Sequence, residues 1–251
     1  SPVNRAMVGR LCKHSRQIGV GDEAQAIYEF RGADTKAMPD AVEQFSMAVL
    51  PLSTSFRCPS AITDNVHWHV PDIQSSRDGG MVARGNAHSI EDNSAVICRY
   101  NAPLIALAME LLSQGHKVDV AGVDIGARVI RLLTKLGDES MTQAQTLDAI
   151  EHWEAERESL DNKSAADTAD CMRVFARHGR TLGGAIAYAK HIFEASGGTI
   201  HFMSGHRAKG LEFDSVYHLN SEDIRPGGQE QNIHYVIDTR PKERLTYIRS
   251  H

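Results

Sequence analysis

Residues 94–121, SAVICRYNAPLIALAMELLSQGHKVDVA, decide the fold class. Residues 94–98 form a short apolar run and read as a buried strand. The apolar stretch 103–112 is too long for a strand and reads as a helix, which Gly115 ends before a second strand at 117–121. Strand, helix, strand in so short a span is a βαβ unit, and its two strands run parallel with the helix crossing over between them. The chain is therefore expected to be α/β, with a parallel sheet flanked by helices.

Outward from this unit the pattern changes. Residues 126–195 carry helical patterns without strands, including a charged stretch at 151–163, and read as an inserted helical subdomain. Strand patterns return at 199–203 and 215–219, and the run 233–237 reads as a last strand before a polar, basic terminus. On the N-terminal side, residues 4–14 have helical spacing, 15–20 read as a buried strand, and 41–47 resume a helix. Residues 49–52 read as a short strand opening a second unit, and Pro59 and Ser60 cap a helix from Ala61. No internal repeat is present.

Composition narrows the classes. With 251 residues and 41% hydrophobic content the chain can bury a sizeable core. It has no apolar run long enough to span a membrane and no hydrophobic signal core at its start, so a cytoplasmic protein is expected. The four cysteines, Cys12, Cys58, Cys98 and Cys171, are widely separated and read as reduced thiols. Of the 13 histidines, His67/His69 and His201/His206 come close together, but neither pair has a Cys or carboxylate at ligand spacing, so no metal site is expected. A net charge of −5 argues against coating of duplex DNA by bulk electrostatics, while a local basic groove remains compatible with it.

Four segments carry chemistry. Residues 21–33, GDEAQAIYEFRGA, mix an acidic pair, a glutamine, two aromatics and an arginine in one turn-rich run, placed by the expected strand 15–20 at a sheet's C-terminal edge. Residues 52–60, LSTSFRCPS, set an aromatic beside an arginine. Residues 204–213, SGHRAKGLEF, crowd a hydroxyl, an imidazole, basic groups and a carboxylate onto one connection between two expected strands. Residues 229–240, QEQNIHYVIDTR, end on an arginine behind the expected strand 233–237.

Taken in this order, the segments resemble the third, fourth, fifth and sixth motifs of superfamily 1 DNA helicases of the UvrD/Rep/PcrA type. The resemblance covers residues 1–135 and 196–250; Ser204 stands where threonine is usual, Ile237 where a small residue is usual, and Phe56 where Tyr is frequent. It implies a RecA-like sheet of the phosphate-loop NTPase type, with 1–47 ending a first RecA-like domain, 48–135 and 196–251 forming a second, and 136–195 inserted. The implied activity is ATP-dependent 3′ to 5′ translocation on single-stranded DNA, with unwinding at duplex junctions.

The same resemblance implies residue roles. Gln25 would sense the terminal phosphate of ATP and couple it to the DNA site. Arg57 and Arg240 would meet that phosphate, Arg240 as an arginine finger whose forked guanidinium neutralises developing charge. Phe56 would stack on adenine and Glu212 would bond the ribose. Tyr28, Phe30 and Arg31 would contact bases, and Ser204 and His206 the DNA backbone. Aromatic faces stack on any base at roughly 1–3 kcal/mol each, which suits a motor that ignores sequence. Arg99 and Asn101 match a further family segment near the nucleotide.

One element is absent from the sequence: there is no G-x-x-x-x-G-K-[ST] phosphate loop and no Gly-Lys pair. The resemblance therefore implies a C-terminal portion whose partner is a missing N-terminal RecA-like portion, carrying the phosphate loop and the Mg²⁺ ligands. Other readings stay open: a non-catalytic single-stranded nucleic-acid-binding or regulatory module, an RNA-directed helicase of the same superfamily, or the helicase subunit of a recombination nuclease.

Overall fold

The computed structural model describes residues 2–12, 14–28, 36–121, 123–158, 165–194 and 197–250. Phe30 and Arg31 lie outside these residues. Helix α1 (Pro2–Leu11) and helix α2 (Ala37–Phe45) precede a two-stranded parallel ribbon of β1 (Thr54–Ser55) and β2 (Gln74–Ser75), between which runs α3 (Ser60–Asn65). There follow β3 (Met81–Arg84), β4 (Ser94–Cys98), α4 (Asn101–Ser113) and β5 (Val118–Val120). Four helices intervene, α5 (Val123–Leu136), α6 (Gln143–Glu158), α7 (Ala165–His178) and α8 (Leu182–Glu194). The chain then returns through β6 (Ile200–Ser204), α9 (Gly205–Ala208), β7 (Phe213–Leu219), α10 (Gly228–Asp238) and β8 (Pro241–Ile248).

Six strands form one sheet in the order β3-β8-β7-β4-β6-β5, and every pairing is parallel. The α/β class, with a parallel sheet flanked by helices and a helical insertion, is what the chain adopts. All five residues of β4 are buried because helices cover both of its faces, as a central parallel strand requires. Period-two alternation splits its side chains: Val96 and Cys98 join Leu104, Leu107, Leu111 and Phe202 beneath α4. Ala95 and Ile97 face the other way, with Val216, Leu245, Ala208 of α9, Ile233, Val236 and Ile237 of α10, and Ile27. Helices α5 to α8 have a core of their own around Leu133, Ile150, Met172, Phe175 and Leu182, continuous with Ile105 and Met109 of α4.

Several sequence expectations are corrected. Residues 15–20 form no strand, and Ile18 and Val20 are more than four-fifths exposed; a strand needs a neighbour to take its backbone groups, and none of the described strands lies beside this run. The described part of the polar cluster after it, residues 21–28, therefore follows no strand of its own. Residues 49–52 are likewise exposed and unpaired, and the strand of that region is the two-residue β1 further on. Residues 233–237 lie in α10, not in a strand: a short β-branched run reads both ways, and Ile233, Val236 and Ile237 at helical spacing present one face to the sheet. The last strand is instead β8, hidden in the sequence by its charged first half. Lys242 pairs with Asp214 at 2.6 Å and Arg244 with Glu91 at 3.0 Å, so charged residues can begin a strand whose second half is buried.

All four cysteines are unpaired. Among the described residues no helix is long and apolar enough to cross a membrane.

Candidate functional site

The C-terminus of α10 builds the centre of the site. The backbone leaves the helix at Thr239, and Arg240 folds back over the last turn, donating from Nε to Val236 O at 2.8 Å, from Nη1 to Leu211 O at 3.3 Å and from Nη2 to Thr239 Oγ1 at 3.2 Å. The side chain is 1% exposed, the largest among the fully buried residues. All three acceptors are neutral oxygens, and no carboxylate pairs with Arg240 among the described residues. The negative end of the helix supplies what compensation there is. Burial, and then the neighbouring Arg57 charge, push the Arg240 guanidinium down to about 10.

Arg57 comes from the turn between β1 and α3. Its Nη1 meets Glu212 Oε1 at 3.1 Å, while its Nε is buried with no hydrogen-bond partner among the described residues. Cys58 closes the gap between the two arginine-bearing segments, its backbone nitrogen held by Ser55 Oγ at 3.0 Å and its Sγ directed at Thr239 O at 3.5 Å. Glu212 and Arg240 immediately precede β7 and β8, and Phe213 N donates to Arg240 O at 3.2 Å. Arg57, Glu212 and Arg240, remote in sequence, thus gather at the end of the sheet where β7 and β8 begin. Phe56 beside them is 79% exposed, an aromatic face with no core role. Chemically the group is two guanidiniums against one carboxylate, a donor set able to hold a small anion.

A second group lies along the face covered by α9 and α10. Residues 23–25 form a single 3₁₀ turn whose start is capped by Asp22, Oδ1 accepting from Ala24 N at 3.0 Å. Gln25 Nε2 donates to Asp22 Oδ2 at 2.6 Å, so its side chain is held within its own turn rather than on either arginine. Asn232 of α10 anchors the turn, donating from Nδ2 to Glu23 O and Ala26 O, both at 3.0 Å, with its Oδ1 2.8 Å from His69 Nε2. Lys209 Nζ adds a bond to Gln25 O at 2.7 Å and lies 5.3 Å from the centre of the Tyr28 ring. Tyr28 OH donates to His206 O at 3.1 Å, and the two rings sit 6.0 Å apart. Ser204, the last residue of β6, precedes His206 on α9 and makes no side-chain cap. The structure therefore brings Tyr28 and His206 together, with Ser204 two residues before His206 in the chain.

The segment 204–212 joins the two groups, running from Ser204 through α9 and Gly210, whose φ of +87° suits glycine, to Glu212. Tyr235 of α10 connects them electrostatically: burial first, then Asp22, push its hydroxyl up to about 12, while Arg57 and Arg240 act in the opposite sense.

Arg99 and Asn101 are committed elsewhere. Arg99 makes a bidentate pair with Glu230 in the first turn of α10, at 2.7 and 2.8 Å. Asn101 donates from its backbone nitrogen and Nδ2 to the Asp167 carboxylate of α7 at 2.9 and 2.7 Å.

Sequence reasoning missed Asn232, Lys209 and Cys58, which hold the site together, because their partners are distant in sequence. It also missed a buried polar group at the other side of α10. Asp238 accepts from Tyr247 OH at 2.7 Å and lies 2.7 Å from His218 Nδ1 and 3.2 Å from His234 Nε2. The i,i+4 spacing of His234 and Asp238 is a signal in the sequence that would have found it.

No family model matches the chain, and no curated protein does. Among solved structures, the chain is similar to the C-terminal domain of a "possible DNA helicase" from Lactobacillus plantarum WCFS1, with 16% identity, 77% of this chain and 86% of that chain covered, and a TM-score of 0.38.

Proposed function

We propose that the chain is the arginine-bearing lobe of an ATP-dependent DNA helicase of superfamily 1 type, translocating 3′ to 5′ on single-stranded DNA and unwinding duplex. The observation that carries this reading is the buried Arg240 guanidinium, which has no carboxylate partner among the described residues and lies beside a second arginine whose Nε is likewise unpartnered among them. An unpaired buried charge is costly, and a site that retains one is built for a charge that arrives from outside.

ATP fits the donor set. Arg57 and Arg240 would hold its terminal phosphate, Phe56 would offer its exposed ring to the adenine, and Glu212 would exchange part of its pairing with Arg57 for the ribose hydroxyls. When bound, the nucleotide would supply a phosphoanhydride for hydrolysis, and its magnesium would be held by a lobe bearing a phosphate loop, a motif this sequence does not contain. Tyr28, His206 and Ser204, joined to Glu212 by one segment, would meet single-stranded DNA, so that a shift at the phosphate reaches the strand through residues 204–212. Gln25, held by Asp22, would need to turn toward the phosphate on lobe closure.

The contact of Tyr28 with His206 also suits a second reading, a non-catalytic module that binds single-stranded nucleic acid. One experiment separates the two. Residues 1–251 alone should show no DNA-stimulated ATPase, and joining a phosphate-loop lobe of a superfamily 1 helicase should produce activity that Arg240→Lys abolishes. Turnover by the isolated chain, or a joined protein indifferent to Arg240, would sink the helicase reading.

A further inference from the structure

We propose that His218, His234 and Asp238 form a binding site for one divalent transition-metal ion of the zinc type, separate from any nucleotide-bound magnesium. His218 comes from β7, while His234 and Asp238 stand one turn apart on α10. One ligand atom from each lies within 4.8 Å of the others. The two imidazole rings meet edge to face, their centres 4.9 Å apart.

Three features favour a metal over a purely hydrogen-bonded network. First, His218 is fully buried and its Nε2 has no hydrogen-bond partner among the described residues, although its Nδ1 lies 2.7 Å from Asp238 Oδ1. No described partner fixes the ring proton, so the tautomer protonated at Nε2 is accessible and the Nδ1 lone pair, which faces Asp238, would be the one to coordinate. Second, a tetrahedral zinc ion with bonds near 2.0–2.2 Å places its ligand atoms about 3.4 Å apart. The present separations, 2.7 Å from His218 Nδ1 to Asp238 Oδ1 and 3.2 Å from His234 Nε2 to Asp238 Oδ2, would open by about 0.7 and 0.2 Å to exchange hydrogen bonds for coordination. Third, His234 and Tyr247 line a cavity of about 230 Å³, walled also by Asn65, Trp68, Arg84 and Ser221. It supplies an entry path and room for a fourth ligand, either water or the Tyr247 oxygen that already bonds Asp238.

Donor chemistry selects the ion. Two imidazoles and one carboxylate suit zinc or its spectroscopic substitute cobalt, whereas magnesium and calcium favour oxygen-only shells. The expected effect is structural: the metal would tie the end of α10 to β7, two residues before Arg240.

The test uses the full chain, stripped with chelator and titrated with Co²⁺ while the visible d–d bands are followed, and with Zn²⁺ in a calorimeter. The expected result is one equivalent bound with tetrahedral bands, and a rise in thermal midpoint on zinc addition. His234→Ala, at a partly exposed position, should weaken binding at least tenfold while retaining the wild-type far-ultraviolet circular dichroism; Asp238→Asn should do the same. His201→Ala, which alters a separate pair with Asp119, should leave binding unchanged. The proposal fails if folded wild-type chain gives neither bands nor heat, if folded His234→Ala binds as wild type, or if His201→Ala abolishes binding.

Discussion

Arg57 and Arg240 are electrostatic neighbours: the charge of the first depresses the second, and the single Glu212 carboxylate acts on both. Two cations brought together by separate segments of the chain, one of them buried, offer an incoming anion more donors than either arginine alone. Their convergence on one end of the sheet is the relationship on which the functional reading stands.

Anions should therefore stabilise the chain through Arg240. At 100 times its dissociation constant, pyrophosphate or sulfate adds about 2.7 kcal/mol by mass action. In Arg240→Met this stabilisation should vanish, while the anion-free variant should melt at or above the wild-type temperature, because a buried cation without a carboxylate has been replaced by a hydrophobe of similar length. Thermal melts across an anion series check both parts; an unaltered anion response in the variant would remove Arg240 from the receptor.

Glu212 competes with the anion for Arg57. Glu212→Gln should change stability by less than about 1 kcal/mol, since the pair is partly exposed. The same change should tighten pyrophosphate binding severalfold, yet weaken a nucleoside triphosphate relative to its ribose-free triphosphate. Calorimetric titration of the two ligands distinguishes this from a carboxylate that only braces Arg57, for which both would tighten alike.

Asn232 holds the 3₁₀ turn that carries Gln25. Asn232→Ala removes this donor from Ala26 O and leaves Glu23 O with Ala26 N alone, and should cost about 1–3 kcal/mol. Hydrogen exchange should rise first over residues 22–28, which limited proteolysis will report as a new cleavage there. Protection equal to wild type would mean that Ile27 burial and the bonds of Lys209 to Gln25 O and of Tyr28 to His206 O suffice to anchor the segment.

Alkaline pH should destabilise the fold through Tyr235. Its folded value, about 12, lies above the value near 10 of the unfolded chain, so the folded state keeps a proton that the unfolded state releases. The contribution is intact below about pH 10 and is lost as pH rises toward 12, on the order of 2 kcal/mol in all. Tyr217, also raised chiefly by burial, acts in the same direction, while Arg240 opposes it. Tyr235→Phe should match wild type at pH 7 and lose less stability between pH 9 and 11, measured by urea unfolding.

The sequence by itself determined the class of fold. The βαβ reading at 94–121 holds nearly residue for residue because β4 is apolar on both faces and α4 is a long apolar run bounded by Gly115, features fixed by neighbours in the chain. It also named the chemically dense segments, since a mixture such as SGHRAKGLEF is visible without coordinates. Tertiary structure alone decided the rest. Residues 15–20 look like a strand and 233–237 like another, but a strand exists only where a partner takes its backbone groups, and a helix prevails where side chains at i, i+3 and i+4 find a common face. The approach of Arg57 to Arg240, the grip of Asn232 on the 3₁₀ turn and the closure of His218 on Asp238 all join residues far apart in sequence. Such contacts are set by how the sheet and α10 pack, a property of the whole fold that no local pattern encodes.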